Sequence, residues 1–187
     1  MTVCSVCNEN EAKIHMTIED DTQISMCETC HNLEMSLKLG RTFDKEIEAF
    51  TLPDAAGKYR HFYIEQLVLP IGVRLEAIES KGEGYRVAVG DELDTDLPSL
   101  YQKLVKKTKQ TLSKQFLEKK TFPNGQSYVR IKDSELVAQI QSSGNSHGPL
   151  LVIDGKPFTW EEEGKMISSF EGFEIEMKMK ESTDDEF

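Results

Sequence analysis

Four cysteines, Cys4, Cys7, Cys27 and Cys30, form a C-x-x-C, nineteen-residue spacer, C-x-x-C array, and no other position of the 187-residue chain holds one. Two such turns supply four soft thiolates at a spacing that closes a tetrahedron around Zn²⁺, for which a spacer of roughly 15–20 residues is usual. The array predicts a zinc site at the front of the chain. Thiolates would fill all four positions of the shell and leave none for an activated water, so the zinc is read as structural. A redox dithiol is the rival reading, because C-x-x-C also opens the helix after a strand in thioredoxin-like enzymes. Cys27 and Cys30 resemble that context, whereas Cys4 and Cys7 do not. His15 and His31 could in principle replace one thiolate. Their plainer reading is an outward strand residue and an exposed residue in a helical first turn.

Between the cysteine pairs the pattern alternates. Ile14, Met16 and Ile18 share one face of a strand over 13–18, Glu19, Asp20 and Asp21 supply a turn, and Ile24 and Met26 mark the returning strand. From Cys27 onward the spacing becomes helical through Leu33, Met35 and Leu37, and Gly40 offers a stop. Knuckle, hairpin and a helix whose first turn carries the last two ligands describe a treble-clef finger over residues 1–40. Its helix N-terminus would turn unpaired N–H groups towards the thiolates. A module of that size buries too little apolar area to fold alone, so zinc is expected to contribute on the order of 10 kcal/mol or more.

Charge narrows the partners. The chain carries a formal net charge of −11, which argues against a general nucleic-acid or membrane-surface binder. Within residues 1–40, Lys13 and Lys38 face seven acidic residues, a net of −5, and four thiolates around Zn²⁺ would add about −2. Such a surface repels phosphates and favours protein partners. No segment approaches the roughly 18 apolar residues of a membrane span, and the N-terminus lacks the pattern of a signal peptide. A cytoplasmic location is expected, where clustered thiols hold metal rather than disulfides.

The run from Cys4 to Thr17, with Ala12, His15 and Thr17 spaced as A-x-x-H-x-T, followed by Cys27 and Cys30 entering a helix, resembles the N-terminal zinc module of the McsA family. That family activates a bacterial protein-arginine kinase in the Clp protease stress system. The resemblance covers about thirty residues and implies the module's fold and the four cysteines as ligands. The helical UVR-type repeat that follows in the family is missing, so kinase activation is not implied. The stretch from Asp154 to Glu162 resembles C-terminal segments of uncharacterised bacterial proteins, which brings no activity with it.

Residues 41–187 read as one α+β body in which an antiparallel sheet packs against helices. After a connector from Phe43, strands are expected at Phe50–Pro53, Tyr59–Leu69, Val73–Glu79 and Tyr85–Val89, with turns at Asp54 to Gly57, at Pro70 and Gly72, and at Gly82 to Gly84. The period then changes. Leu97, Leu100, Tyr101, Leu104, Val105, Thr108, Leu112 and Phe116 place one face of a helix from Leu97 to Lys120 on the sheet. Its opposite face carries Lys103, Lys106, Lys107, Lys109, Lys114, Lys119 and Lys120 against Glu118, a local net of +6. This face is either a dock for an acidic partner or nucleic-acid phosphates, or a solvated surface balanced by the molecule's own acids. It holds no arginine and no interleaved aromatic to stack bases.

Further on, Pro123, Asn124 and Gly125 mark a turn and Tyr128–Ile131 a short strand. Asp133 is expected to cap a helix through about Ser142, with Leu136, Val137 and Ile140 inward. A loop from Gly144 to Pro149 holds His147, read as an exposed loop residue. Leu150–Ile153 reads as a central strand, Asp154 and Gly155 as its turn, and Thr159 to Glu162 as a capping box that starts a helix to about Phe170. Trp160 in its first turn covers core or serves a partner. Gly172 ends the helix, Phe173–Met179 alternates as a final strand, and Glu181 to Phe187 forms an acidic tail.

Carboxylates are plentiful at Glu161 to Glu163 and Asp91 to Asp96, but the first run points in different directions around a helix. The second lacks the glycine and downstream glutamate of an EF-hand loop. Phosphate loops, a nucleophile elbow and zinc-protease histidine pairs are also missing from the sequence. The expectation is a zinc-binding, non-enzymatic adaptor or regulatory protein. The alternatives are a nucleic-acid-associated factor using the lysine face of 103–120 and an enzyme whose site emerges only in three dimensions.

Overall fold

The computed structural model describes residues 2–18, 21–42, 47, 49–80, 84–143 and 148–183, and its architecture is α+β with antiparallel sheets and three α-helices among those residues. Strand β1 (Ile14–Thr17) pairs with β2 (Gln23–Met26), setting Ile14 opposite Met26. Helix α1 (Glu28–Lys38) follows directly from Cys27. Gly40, at φ +65°, lets the chain leave the helix in a Schellman arrangement. There the Arg41 N–H donates to Ser36 O at 2.8 Å and the Gly40 N–H to Leu37 O at 3.1 Å.

The buried face of α1 differs from the expected one. Leu33 is 47 % and Leu37 78 % exposed, while His31, Asn32 and Ser36 are buried. The reason lies in what α1 packs against.

Strands β3 (Phe50–Pro53), β4 (Tyr59–Leu69), β5 (Gly72–Glu79) and β6 (Arg86–Asp91) form a sheet in that order, the meander expected from sequence. Phe50 to Pro53 pair only with Tyr59 to Phe62, so among the described residues the far half of β4 has no strand on that side. Helix α1 covers this edge with polar side chains, which can satisfy backbone groups where leucines could not. Helix α2 (Leu97–Ser113) starts at Asp96, whose carboxylate accepts from the Ser99 N–H at 3.0 Å. Phe62, Leu75, Val89, Leu100, Leu104 and Leu112 form the core between α2 and the sheet.

Helix α2 stops at Ser113 and does not run to Lys120. Beyond it, β7 (Leu117–Thr121) pairs with β8 (Ser127–Ile131) around the expected turn at Gly125, φ +85°. The cause lies far along the chain: the N–H groups of Phe116 and Leu117, which a continuing helix would pair within itself, donate instead to the Asp154 carboxylate at 3.1 and 2.8 Å.

The helix expected from Asp133 is also absent. Asp133 and Ser134 both adopt positive φ, which breaks a right-handed helix. Strand β9 (Gln139–Gln141) then pairs with β10 (Leu150–Ile153), leaving Val137 and Ile140 about half exposed. Strand β10 is central, as expected, between β9 and β11 (Lys156–Phe158). Asp154 and Gly155, at φ +50° and +68°, form the two-residue turn with the left-handed geometry that asparagine, aspartate and glycine favour.

Helix α3 (Trp160–Ile167) begins with the expected capping box between Thr159 and Glu162, and a 3₁₀ turn at Ser168–Phe170 completes it. Trp160 is 46 % exposed. Leu117, Ile131, Ile153 and Met166 form a second core cluster. The expected last strand is not formed: 173–181 carry no helix, strand or turn. The expected turns at Glu19 and Asp20 and at Gly82, the connector at Phe43, the loop with His147 and the end of the acidic tail lie outside the described residues.

The two clusters meet at a polar joint. Arg60 donates to Asp54 and Glu79, each at 2.9 Å, with all three side chains at least about nine-tenths buried. The Tyr85 ring lies under the Arg60 guanidinium and against Gly155, and the Gln141 side chain donates to Gly84 O at 3.1 Å.

Candidate metal centre

The first C-x-x-C sits on a short loop that is tied at several points. The Cys4 N–H donates to Asn10 O at 2.8 Å, Asn8 at φ +57° returns its N–H to Cys4 O at 2.9 Å, and the Ser5 N–H reaches Ser25 O at 2.8 Å. That last bond anchors the loop to β2. The second C-x-x-C straddles the start of α1, with Cys27 as its N-cap and Cys30 in its first turn.

These anchors bring the four Sγ atoms within 4.8 Å of one another. The Cys7 and Cys27 sulfurs lie 3.9 Å apart, and all four are free thiols. A Zn–S distance near 2.3 Å requires tetrahedral S···S edges of about 3.8 Å, so the spacing fits a shared ion. Among the described residues this is the one group of Cys, His, Asp and Glu side chains that converges in this way. Neither histidine joins it: His15 Nδ1 lies 2.8 Å from Ser25 Oγ, and His31 Nε2 donates to Val68 O at 3.1 Å.

The surroundings favour thiolate on the first knuckle. The Cys7 N–H, with those of Cys27 and Val6, outweighs burial and pulls the Cys4 thiol down to about 6. The Asn10 and Glu9 N–H groups lower that of Cys7. Burial, followed by the neighbouring thiols, pushes Cys30 up to about 12. Four thiols this close cannot all ionise unaided, which is the electrostatic condition a divalent cation relieves. The Asn10 side-chain amide points at Cys7 and Cys27 Sγ from 3.8 and 3.9 Å.

The module is fixed to the sheet beside it. The Asn32 carboxamide acts like one peptide unit of a neighbouring strand: its Nδ2 donates to Gln66 O at 2.7 Å and its Oδ1 accepts the Val68 N–H at 2.9 Å. His31 takes the Val68 carbonyl. Lys13 bridges Glu28 of the module and Glu65 of β4. Burial and the nearby Glu65 charge raise the Glu28 carboxyl. None of this docking has a sequence signature, because Asn32 and His31 interrupt the apolar periodicity.

The other features singled out in sequence have structural partners. Asp91 pairs with Lys103 at 2.5 Å, Asp96 caps α2, Glu161 pairs with Lys165 at 2.9 Å and Glu162 completes the capping box. The lysine face is divided: Lys107 is buried and donates to Ser182 O at 3.0 Å, Lys120 pairs with Glu118 on β7, and Lys106, Lys109 and Lys114 are exposed. A cleft of about 230 Å³ opens at the polar joint beside Arg60, Tyr85 and Asp154. Another, of about 200 Å³, lies under the module beside Lys13, Glu28 and Glu65.

Residues 43–113 match a family model described as a domain of unknown function (DUF7686), and residues 116–184 match another, also a domain of unknown function (DUF7713). The border between the matches falls at the end of α2, where the first core cluster gives way to the second, and the four cysteines precede both. No curated protein and no solved structure matches the chain. Among the described residues, no helix is long and apolar enough to cross a membrane.

Proposed function

We propose that Cys4, Cys7, Cys27 and Cys30 hold one structural Zn²⁺ in a treble-clef-type module, and that the protein is a non-enzymatic, cytoplasmic adaptor whose module presents a surface to another protein. The convergence of four thiols within 4.8 Å carries the metal reading. Bound zinc would supply folding free energy and fix the loop and helix that carry its ligands. A closed thiolate shell leaves it no reaction to perform. The likeness of this segment to the McsA module supports the metal reading and goes no further.

The contact reading rests on the module's surface. Val3 and Val6 on the knuckle and Leu33 and Leu37 on one face of α1 are each about half exposed or more, on a module of net negative charge. Exposed apolar side chains on a module of net negative charge suit a protein partner and repel phosphates. The nucleic-acid alternative loses its continuous helix face at Ser113.

The test is affinity capture from cell extract with the full chain, its Leu33→Asp/Leu37→Asp variant and the chain after zinc chelation. A specific protein retained by the first alone is the expected result. A partner held equally by all three would overturn the reading.

A further inference from the structure

Residues 173–181 leave Gly172, at φ +92°, and run exposed with no regular structure. Phe173, Ile175, Met177 and Met179 alternate with Glu174, Glu176, Lys178 and Lys180, and these four apolar side chains are 63 to 72 % exposed. Both ends are nevertheless attached. Phe173 packs edge-on against Phe170 at 5.6 Å between ring centroids. Beyond the segment, Ser182 O accepts from the buried Lys107 at 3.0 Å, and Thr183 lies beside Gly90 of β6. The family match also continues to residue 184, so the segment belongs to the matched unit. A period-two apolar face held between two anchors, paired with no strand among the described residues, has the form of a strand awaiting a partner.

The order of its charges selects that partner. Set antiparallel to a copy of itself about Met177, the segment places Glu174 opposite Lys180, Ile175 opposite Met179, Glu176 opposite Lys178 and Met177 opposite Met177. Every cross-strand pair from 174 to 180 is then apolar or oppositely charged, and Phe173 falls opposite Glu181 only at the outer ends of the ribbon. A two-residue shift in either direction sets Glu176 against Glu176 or Lys178 against Lys178. A one-residue shift sets apolar side chains against charged ones. One register alone satisfies the sequence, and it has the two-fold symmetry of an isologous contact.

We propose that residues 174–180 pair antiparallel with the same residues of a second copy of this chain, giving a homodimer centred on Met177. A two-stranded ribbon alone is marginally stable, so the dimer is reversible and its population rises with concentration. Sedimentation equilibrium of the full chain should show a mass moving from 21.2 kDa towards twice that value.

Met177→Lys, which sets two lysines face to face, should hold the chain at the monomer mass, as should Glu174→Lys/Glu176→Lys or Lys178→Glu/Lys180→Glu alone. Mixing the last two variants should restore a dimer, now mixed, because all four charged pairs become attractive. All the substituted positions are solvent-exposed, and unchanged circular dichroism confirms that each variant folds. A chain that stays monomeric at every concentration overturns the proposal, even if its segment takes up a strand from another protein. So does a dimer that survives the charge reversals, or a mixture of the two variants that fails to associate.

Discussion

Replacing Asn32 with leucine tests how the metal module is joined to the sheet. The two side chains share the same branched heavy-atom skeleton, and Asn32 is only 2 % exposed, so the substitution chiefly replaces polar atoms by methyl groups at the same positions. The Val68 N–H, now buried, would lose its acceptor at 2.9 Å, and the partly buried Gln66 carbonyl would lose its donor at 2.7 Å. A buried backbone group without a partner costs about 1–3 kcal/mol, and the less buried one about 1, so the expected loss is about 2–4 kcal/mol. Urea denaturation of the zinc-loaded chain reads this total, and hydrogen exchange at the Val68 amide locates it. Leu37→Ala, on a side chain 78 % exposed, should cost under about 0.5 kcal/mol. Reversed magnitudes for the two variants, or a Val68 amide still protected in Asn32→Leu, would refute the docking described above.

Two further predictions concern the body. Gly155→Ala would place a Cβ 2.6 Å from the Tyr85 ring at φ +68° and should cost about 2–4 kcal/mol. Gly57→Ala, at φ +78° with nothing within 4 Å, should cost about 1 kcal/mol in thermal denaturation. Glu163 is 3 % exposed and neither carboxylate oxygen has a hydrogen-bond partner among the described residues, and burial raises its carboxyl above the ordinary value of 4.5. The folded state therefore keeps that proton longer than the unfolded chain does. Its contribution is fully present below the unfolded value and is lost as pH rises through the raised folded one. Glu163→Gln should remove this loss and gain about 1 kcal/mol at neutral pH in denaturant titrations. A variant no more stable than the parent at neutral pH would count against it.

Local chemistry made part of the fold legible. Strand-forming runs bounded by turn signals marked β3 to β6, with alternation at Val73–Glu79, and Thr159 with Glu162 marked the start of α3 because a capping box is complete within four residues. The errors came where distant residues decide. Helix α2 looks extendable until Asp154, nearly forty positions later, captures the N–H groups of Phe116 and Leu117. Residues 133–142 carry helical spacing too short to exclude a strand, and the positive φ of Asp133 and Ser134 settles it. The buried face of α1 could not be read because it is polar, matched to a sheet edge that only the tertiary structure creates. For the candidate centre, spacing alone identified the four sulfurs, while the Asn10 amide beside Cys7 and Cys27 Sγ and the joint through Asn32 leave no periodic trace.

The most direct test of the proposed zinc centre is the metal content of the full chain purified without added metal, read by elemental analysis together with native mass spectrometry. One zinc per chain, with all four thiols resisting alkylation until the ion is chelated, is the expected result. A folded chain without zinc, or one whose cysteines are joined as disulfides, would contradict it.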